Sequence, residues 1–391
     1  MEQVEILLLI ASLVAIVCRQ IKIPYTIGLV IAGLGLSLAG IEFSVHLSKQ
    51  LIFSVLLPPL IFEAAIHLRW RDLKAELPVA LPLATVGVAL AAVASSAVLV
   101  FLAGQTWQTA LIIGVVMSAT DPVSILALLK ESKLPPRIHR LIEAESILND
   151  GTAAVLFTLA LSVIAGSVTT GQFMTLSLTA IGLGLLIGAA IGFIALTIAG
   201  RTEDHLVELA VTTVAAYASF ILAEHVHASG VLATLVAGMV LGNLGTRGAI
   251  TEKGHETTTA FWEFAGFVSN SIIFLLIGAD LTLWRSGVAH SLVLWTVIAS
   301  VISRAVAVYI GCLPLAVTRH RVPMPIQNLL FFGGLRGALA LALVLGLPAE
   351  ISARDEIISA VFLAVAFSVV VQGLTAGRII TRSADRLKGY E

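Results

Sequence analysis

The stretch Glu145-Ser146-Ile147-Leu148-Asn149-Asp150 places four polar or ionisable side chains at the start of a segment that stays apolar to about residue 165. Such a segment is typical of a membrane-spanning helix, in which a carboxylate costs about 2.5–3.5 kcal/mol on insertion scales. In a helix Ser146, Asn149 and Asp150 share one face, because residues three and four apart are neighbours. Glu145 lies about 140° around the helix from Asp150, so it points elsewhere and needs a separate partner. The shared face offers oxygen ligands to a small cation, so the first hypothesis is ion transport.

The composition is that of a protein embedded in a membrane. Of the 391 residues 58% are hydrophobic and 12% are charged, and the mean hydropathy is +1.02. Soluble proteins carry about twice that charged fraction. We therefore predict a multi-pass, all-α membrane protein, in contact with membrane lipid. The net charge of −1 and the scattered basic residues predict no nucleic-acid partner. Cys18 and Cys312 predict neither a disulfide nor a metal framework.

Charged residues, prolines and glycines divide the chain into thirteen apolar segments. They cover residues 4–18, 24–41, 47–66, 76–103, 107–129, 140–165, 172–199, 205–223, 229–245, 256–279, 286–317, 324–347 and 356–380. We predict thirteen transmembrane helices.

The distribution of basic residues predicts the orientation of these helices. Of the 23 lysines and arginines, 18 follow odd-numbered segments. Only Lys49, Arg285 and Arg354 follow even-numbered ones, and Arg304 and Arg336 lie within segments. Because basic loops stay in the cytoplasm, the N-terminus is predicted outside and the C-terminus in the cytoplasm.

An odd number of segments also permits an internal repeat. If segment seven is a linker, segments 1–6 and 8–13 form two inverted six-helix repeats, as in many secondary transporters. Ser118-Ala119-Thr120-Asp121-Pro122 interrupts segment five, and Gly333-Gly334-Leu335-Arg336-Gly337 interrupts segment twelve. Each is the fifth segment of its half, so we predict two broken helices at corresponding places.

A broken helix exposes backbone N–H and C=O groups with partial charges. Asp121 is suited to neutralise the N-terminal ends and Arg336 the C-terminal ends. Thr120 offers a hydroxyl and a freed carbonyl as ligands. Alternatively, Asp121 only caps a half-helix that begins at Pro122, and the two roles are compatible.

Other intramembrane charges allow two interpretations each. Glu63 lines an ion pathway, or it lies at the cytoplasmic interface beside Arg69 and Arg71; Glu263 leaves the same two alternatives open. Arg304 lies in the middle of segment eleven, where an unpaired guanidinium is costly, so we predict a buried pair with Glu145.

Two sequence patterns resemble enzyme or metal sites but give only weak support for such a site. Glu224-His225-Val226-His227 resembles a metal-ligand cluster but falls in a short loop predicted to lie outside. Two aspartates on neighbouring helices are also a feature of intramembrane aspartyl proteases. Thr-Asp-Pro and Asn-Asp-Gly are not the motifs of those enzymes, so we predict that the protein is not an enzyme.

Four motifs resemble the NhaP/NHE-type sodium/proton antiporters, the first cation–proton antiporter family. They are Pro58-Pro59-Leu60-Ile61-Phe62-Glu63, Ala119-Thr120-Asp121-Pro122-Val123, Glu145-Ser146-Ile147-Leu148-Asn149-Asp150-Gly151 and Gly333-Gly334-Leu335-Arg336-Gly337-Ala338. They spread over most of the chain in the order that the family has.

The resemblance implies a homodimer in the cell (inner) membrane that moves ions by an elevator-like motion of a core domain. Residues 1–75 and 201–285 would form the dimerisation domain, and residues 167–200 the linker helix. The core, or transport, domain would comprise residues 76–166 and 286–391, with helices 5 and 12 unwound where they cross.

The resemblance also implies roles for single residues. Asp150 matches the carboxylate that binds the cation or the proton, and Ser146, Thr120 and Glu63 match further ligands. Asn149 and Asp121 match a bridge across the crossing helices. Glu145 with Arg304 matches a structural ion pair, and Arg336 matches the charge that compensates the broken helices. No cofactor is implied beyond the transported Na⁺ and H⁺.

The expected function is exchange of Na⁺ or Li⁺ for H⁺ by competition for Asp150. Asn149 stands where the electrogenic branch of the superfamily has a second aspartate, which favours electroneutral 1:1 exchange. K⁺/H⁺ antiport is the first alternative, and proton-coupled symport of an organic anion on a related fold is the second. A channel is disfavoured, because no residues suggest a selectivity-filter ring.

The orientation can be tested with Lys49→Cys and Lys74→Cys, each in a Cys18→Ser, Cys312→Ser background. The charge pattern places position 49 outside and position 74 in the cytoplasm. A membrane-impermeant maleimide added to intact cells should label the first variant and spare the second. Inverted membrane vesicles should give the opposite result, and labelling of position 74 in intact cells would reverse the predicted orientation.

Overall fold

A computed structural model of the protein describes residues 2–21, 23–41, 47–121, 134–166, 170–245, 248–279, 290–376 and 379. Predicted features outside these residues are Pro122, Val123, the second half of segment five and the basic residues Lys22, Lys130, Lys133, Arg247, Arg285, Arg378, Arg382, Arg386 and Lys388.

The described chain is helical throughout, with short connections. The helices are α1 (Glu2–Ile21), α2 (Tyr25–Leu38), α3 (Lys49–His67), α4 (Trp70–Phe101), α5 (Trp107–Val116), α6 (Pro136–Ile164), α7 (Thr170–Ala199), α8 (His205–His225), α9 (Gly230–Leu244), α10 (Glu252–Ala279), α11 (His290–Val317), α12 (Met324–Gly333), α13 (Ala338–Leu345) and α14 (Arg354–Ala376).

Each of the thirteen predicted segments overlaps at least one of these helices. In the described residues, eight helices are long and apolar enough to cross a membrane, or nine if the bent pair α12 and α13 counts as one span. The all-helical, multi-pass fold class is thereby confirmed. The count of thirteen spans, the inverted repeats and the orientation of the termini stay predictions.

The chain forms two compact units. The first contains Met1–Lys49, Glu76–Ala153 and Ser271–Glu391, and the second contains Gln50–Ala75 and Ala154–Asn270. The predicted division instead groups residues 1–49 with the dimerisation helices. The assignment of a transport and a dimerisation role to parts of the chain stays a prediction.

In the first unit, glycines let helix backbones approach closely. The position of a Cβ on Gly33 of α2 would overlap the Leu275 carbonyl of α10, and that of a Cβ on Gly278 would overlap the Val30 carbonyl of α2. The hydroxyl of Ser37 donates to the Ala279 carbonyl at 2.6 Å. Small residues at such contacts are the usual basis of helix packing in a membrane, where apolar side chains gain little by leaving lipid.

The second unit is arranged around α9. Gly184, Gly188 and Gly192, four residues apart on α7, face the backbone or side chains of Ser229, Ala233 and Val240. The other side of α9 carries two glycines that pack on α3, where any Cβ would meet the side chain of Ala65 or overlap the carbonyl of Ile66. Close contacts at glycines of α7 and at glycines of α9 itself thus place α9 between α7 and α3.

A buried carboxylate joins α8 to the start of α10 in the same unit. Glu208 is fully buried and accepts hydrogen bonds from Thr251 N at 3.0 Å and Thr251 Oγ1 at 2.9 Å. Thr251 Oγ1 in turn accepts from Gly254 N in the first turn of α10, at 3.0 Å. A negative charge at this helix N-terminus stabilises the exposed N–H groups.

We expect Glu208→Gln to lower the free energy of unfolding by about 2 kcal/mol, because it removes a buried charge-assisted acceptor. Thermal unfolding of the purified protein measures the loss as a lower Tm. Glu203→Gln is the matched control, since Glu203 is exposed in the connection just before α8. Equal Tm values for the two variants would contradict a structural role for Glu208.

Candidate functional site

Two helices of the first unit end where the sequence predicts interruptions. Helix α12 stops at Gly333 and α13 starts at Ala338, and the two are bent by 48°. Helix α5 stops at Val116, and the chain is non-helical through Asp121. The backbone N–H of Asp121 donates to the Leu335 carbonyl at 2.7 Å, so the two non-helical stretches touch.

Gly337 is required by this contact between the two interruptions. The position of a Cβ on Gly337 would overlap the side chain of Asp121. The backbone of Gly337 is extended, with φ −147°, so the constraint is the space available and not the backbone angle. A glycine thus lets the chain after α5 pass against the chain between α12 and α13.

Arg336 satisfies the carbonyl groups freed at these interruptions. Its side chain is 1% exposed. Nη1 donates to the carbonyls of Ser118 at 3.3 Å and Ala119 at 3.1 Å, and Nη2 donates to the Ser300 carbonyl at 3.0 Å. The Arg336 backbone N–H donates to Ser368 Oγ in a π-helical turn of α14 at 3.1 Å. A positive charge therefore lies beside the carbonyls that follow α5.

Glu145 and Arg304 form the buried ion pair predicted for α6 and α11. The distances are 2.7 Å from Nη1 to Oε1 and 3.3 Å from Nη2 to Oε2, and both side chains are buried. Arg304 also donates to the Leu330 carbonyl near the end of α12, from Nε at 3.1 Å and Nη2 at 2.7 Å. Bidentate pairing with a second acceptor offsets the desolvation of a buried guanidinium.

Gly334 provides the space for this guanidinium. The position of a Cβ on Gly334 would overlap Nε of Arg304, with Cζ at 2.8 Å. The glycines in Gly333-Gly334-Leu335-Arg336-Gly337 therefore serve packing as well as the helix break, which sequence reasoning did not anticipate. The carbonyls of Leu330, Leu335 and Ser300 were also missed, because a main-chain acceptor leaves no mark in residue identity.

The polar face of α6 meets Thr120 in the interruption after α5. Thr120 Oγ1 lies 3.1 Å from Ser146 Oγ and accepts a hydrogen bond from Asn149 Nδ2 at 3.0 Å. Thr120, Ser146 and Asn149 are buried. The shared helical face predicted from the spacing of Ser146, Asn149 and Asp150 therefore meets Thr120 through two of its side chains.

Two side-chain oxygens on this face, one of a carboxyl group and one of an amide, are buried without a hydrogen-bond donor. Asp150 Oδ1 and Asn149 Oδ1 accept no hydrogen bond from the residues that the structure describes. Within the same residues Asp150 forms no ion pair, although the residue as a whole is partly exposed. Oxygens of this kind suit a hard monovalent cation or, at Asp150, a proton.

Glu63 belongs to a different compact unit from Asp150 and the residues around it. It lies in α3 of the second unit, where His67 Nδ1 is 2.7 Å from the Glu63 carbonyl oxygen and 3.9 Å from its Oε1. The exposed carboxylate of Glu263 lies 3.7 Å from His67 Nε2. The predicted role of Glu63 as a cation ligand stays a prediction.

The histidine-rich loop does not form a metal site in the described structure. Within the part of the chain that the structure describes, no group of three or more His, Cys, Asp or Glu side chains is placed to hold a metal. Glu224 Oε1 instead accepts a hydrogen bond from Gly230 N at the start of α9, at 3.1 Å.

A match to a known protein family shows to which family this chain belongs. The family described as "Sodium/hydrogen exchanger, transmembrane" matches residues 7–382. The chain belongs to the sodium/hydrogen exchanger family. This membership confirms the resemblance to NhaP-type antiporters and the location of the multi-pass chain in the cell (inner) membrane. It also agrees with the prediction that the protein is not an enzyme.

Relatives within the sodium/hydrogen exchanger family match nearly the whole chain. It is 39% identical over 368 residues to the Na⁺/H⁺ antiporter ApNhaP of Aphanothece halophytica, covering 92% of this chain and 70% of the relative. It is 37% identical over 388 residues to the low-affinity Na⁺/H⁺ antiporter NhaS1 of Synechocystis, covering 96% and 73%. The solved sodium proton antiporter MjNhaP1 of Methanocaldococcus jannaschii has the same fold, with a TM-score of 0.77 at 19% identity over 95% of this chain and 98% of that chain.

We expect Gly334→Ala to lower the Tm by several degrees and to impair transport, because the added Cβ displaces the guanidinium of Arg304 from Glu145. Losing one partner of a buried pair costs about 3–5 kcal/mol. Gly35→Ala is the matched control, since a Cβ on Gly35 of α2 would meet no atom within 4 Å. Equal Tm values for the two variants would show that the Arg304 guanidinium can keep its contact with Glu145 despite the added Cβ.

Proposed function

We propose that this protein exchanges Na⁺ (or Li⁺) for H⁺ across the membrane, one for one, by competition of the two ions for Asp150. The observation that carries the proposal is the buried Asp150 Oδ1, which accepts no hydrogen bond from the described residues. Membership in the sodium/hydrogen exchanger family supports the two ions. The specific residue, the stoichiometry and the motion are our proposals.

The cation ligands would come from the face of α6 and from the interruption after α5. Asp150 and Asn149 supply carboxylate and amide oxygens, and Ser146 and Thr120 supply hydroxyl oxygens. All are hard oxygen donors, which suit an alkali cation. Because Thr120 is hydrogen-bonded to both Ser146 and Asn149, the ligand geometry is set before the ion arrives. Asp121 would support the site through its backbone contact with Leu335.

Competition follows from charge balance at Asp150. A carboxylate in a membrane-embedded site without a counter-charge is costly, and either a proton or a cation removes that cost. A proton and Na⁺ cannot both neutralise one carboxylate, so binding of one displaces the other. Lower pH should therefore raise the concentration of Na⁺ needed for half-maximal rate, while saturating Na⁺ restores the same maximal rate.

The 1:1 stoichiometry is supported by the partners of the nearby charges. Glu145 is neutralised by Arg304, so it carries no ion during the cycle. Asn149 beside Asp150 is neutral at any pH. One carboxylate on this face of α6 then binds one positive charge in either direction, and the exchange moves no net charge.

Obligatory exchange follows if only the neutral, loaded site crosses the membrane. An empty carboxylate would have to pass a dry barrier without compensation. We propose that a transport domain carrying Asp150 makes an elevator-like movement within a homodimer. Arg336 and the Glu145–Arg304 pair would hold the two interrupted helices in place during this movement. Glu63 is proposed as a further ligand, acting through water.

The function can be tested in proteoliposomes with a trapped pH dye and an imposed pH gradient. Addition of Na⁺ or Li⁺ should dissipate the gradient, and clamping the membrane potential should leave the rate unchanged. A response to K⁺ alone would assign the protein to K⁺/H⁺ exchange. A rate that depends on the membrane potential would contradict the 1:1 stoichiometry, and no response to any alkali cation would overturn the proposal.

The role of Asp150 can be tested with Asp150→Asn. This variant should lose exchange, because an amide cannot bind a proton and attracts a cation weakly. Its Tm should stay close to that of the unchanged protein. Asp355→Asn is the matched control, since the Asp355 side chain is 93% exposed and pairs only with neighbouring Arg354 among described residues. Exchange at the normal rate by Asp150→Asn would place the ion site elsewhere.

A further inference from the structure

The second unit contains a cavity that the ion-exchange mechanism does not use. It has a volume of about 790 Å³ and lies between the end of α3, the start of α4, the end of α9 and the start of α10. Cavities that hold a ligand of drug size have volumes of about 300–1,000 Å³. The space is therefore sufficient for a charged headgroup together with part of an acyl chain.

The charged part of the wall is basic. Arg69, Arg71, His67 and His255 line the cavity. No carboxylate is among its lining residues in the described structure, and the acid nearest to His67 is Glu263, whose carboxylate lies 3.7 Å from His67 Nε2. Two guanidinium groups two residues apart can both donate to the oxygens of a phosphate, with the bidentate geometry that arginine favours. The chemistry of the wall thus fits an anionic group.

The remaining wall is apolar. It includes Ile66, Val236, Met239, Val240 and Leu244, as well as the Trp70 side chain, which is 54% exposed. A site for a small inorganic anion has no need of so much apolar surface. A tryptophan beside arginines at the end of an apolar helix is instead typical of the membrane interface, where one end of the side chain meets lipid.

The segment that carries the two arginines is fixed to α9 by Asn243. The Trp70 backbone N–H donates to Asn243 Oδ1 at 2.6 Å. Asn243 Nδ2 donates to the Leu68 carbonyl at 2.9 Å and to the Met239 carbonyl at 2.8 Å. These hydrogen bonds hold the backbone around Arg69 and Arg71 in place before any ligand binds, which lowers the entropy lost on binding.

We propose that this cavity binds the headgroup of an anionic phospholipid, with the phosphate on Arg69 and Arg71 and an acyl chain against the α9 wall. The cavity lies where segments three and nine end, and the charge pattern predicts that both of these ends are cytoplasmic. Basic pockets between transmembrane helices on that side bind anionic headgroups such as those of cardiolipin. The lipid would therefore enter from the cytoplasmic leaflet and tie α3 to α9 and α10.

The proposal can be tested on the purified, delipidated full-length chain in detergent. Phosphatidylglycerol should raise the Tm, and native mass spectrometry should show the lipid retained. Phosphatidylcholine and inorganic phosphate serve as probes for a neutral lipid and a soluble anion. In Arg69→Gln/Arg71→Gln, binding of phosphatidylglycerol should weaken about 30-fold, as expected if each arginine contributes ~1 kcal/mol.

The matched control is Arg201→Gln/Lys253→Gln, which removes two exposed basic charges of the same unit that do not line the cavity. It should keep the full response to phosphatidylglycerol, and an equal loss in this control would reduce the effect to general surface charge. If the arginine variant does not fold, Val236→Trp tests the site by filling the cavity without changing the charge. It should lose lipid retention, and full retention would overturn the proposal.

Two further outcomes would also overturn the assignment to lipid. An equal rise in Tm with inorganic phosphate would assign the cavity to a soluble anion. Stabilisation that depends on protein concentration and not on lipid would assign it to a second copy of the chain.

Discussion

A bilayer offers no water to a broken helix, so the carbonyl groups freed after α5 and near the end of α12 must find donors within the protein. Two buried arginines meet this requirement. Arg336 donates to the carbonyls of Ser118 and Ala119, and Arg304 donates to that of Leu330. Each brings a positive charge that also needs compensation, and Glu145 supplies it for Arg304. The arrangement of oxygens around Thr120 and α6 depends on these contacts, because they hold the non-helical stretches in place.

The same requirement explains why glycines cluster at the interruptions. Gly334 leaves room for the Arg304 guanidinium, and Gly337 leaves room for the Asp121 side chain. A larger residue at either position would push these buried side chains away from their hydrogen-bond partners. In the second unit, glycines on α7 and α9 act differently, since they bring helix backbones close together and do not make room for a charged side chain.

Much of the site could be predicted from the sequence, because polar side chains in an apolar chain have few explanations. The spacing of Ser146, Asn149 and Asp150 predicts one helical face, and the mid-span position of Arg304 predicts a buried acid as its partner. The glycines at 333–337 predict the break between α12 and α13. The stretch Ser118-Ala119-Thr120-Asp121-Pro122 predicts the end of α5, which falls two residues earlier, at Val116. Contacts made by main-chain atoms, such as Leu335 O with Asp121 N, and the grouping of α1 and α2 with the first unit depend on tertiary packing that residue types do not record.

The Glu145–Arg304 pair has a consequence for how the chain is made. Its two residues lie 159 positions apart. At a synthesis rate of about 5–20 residues per second, roughly 8–30 s pass between the appearance of the acid and that of its partner. During this interval α6 has to enter the bilayer with Glu145 still lacking the guanidinium of Arg304. Closure of the pair therefore belongs to a late step of assembly, after α11 has been inserted.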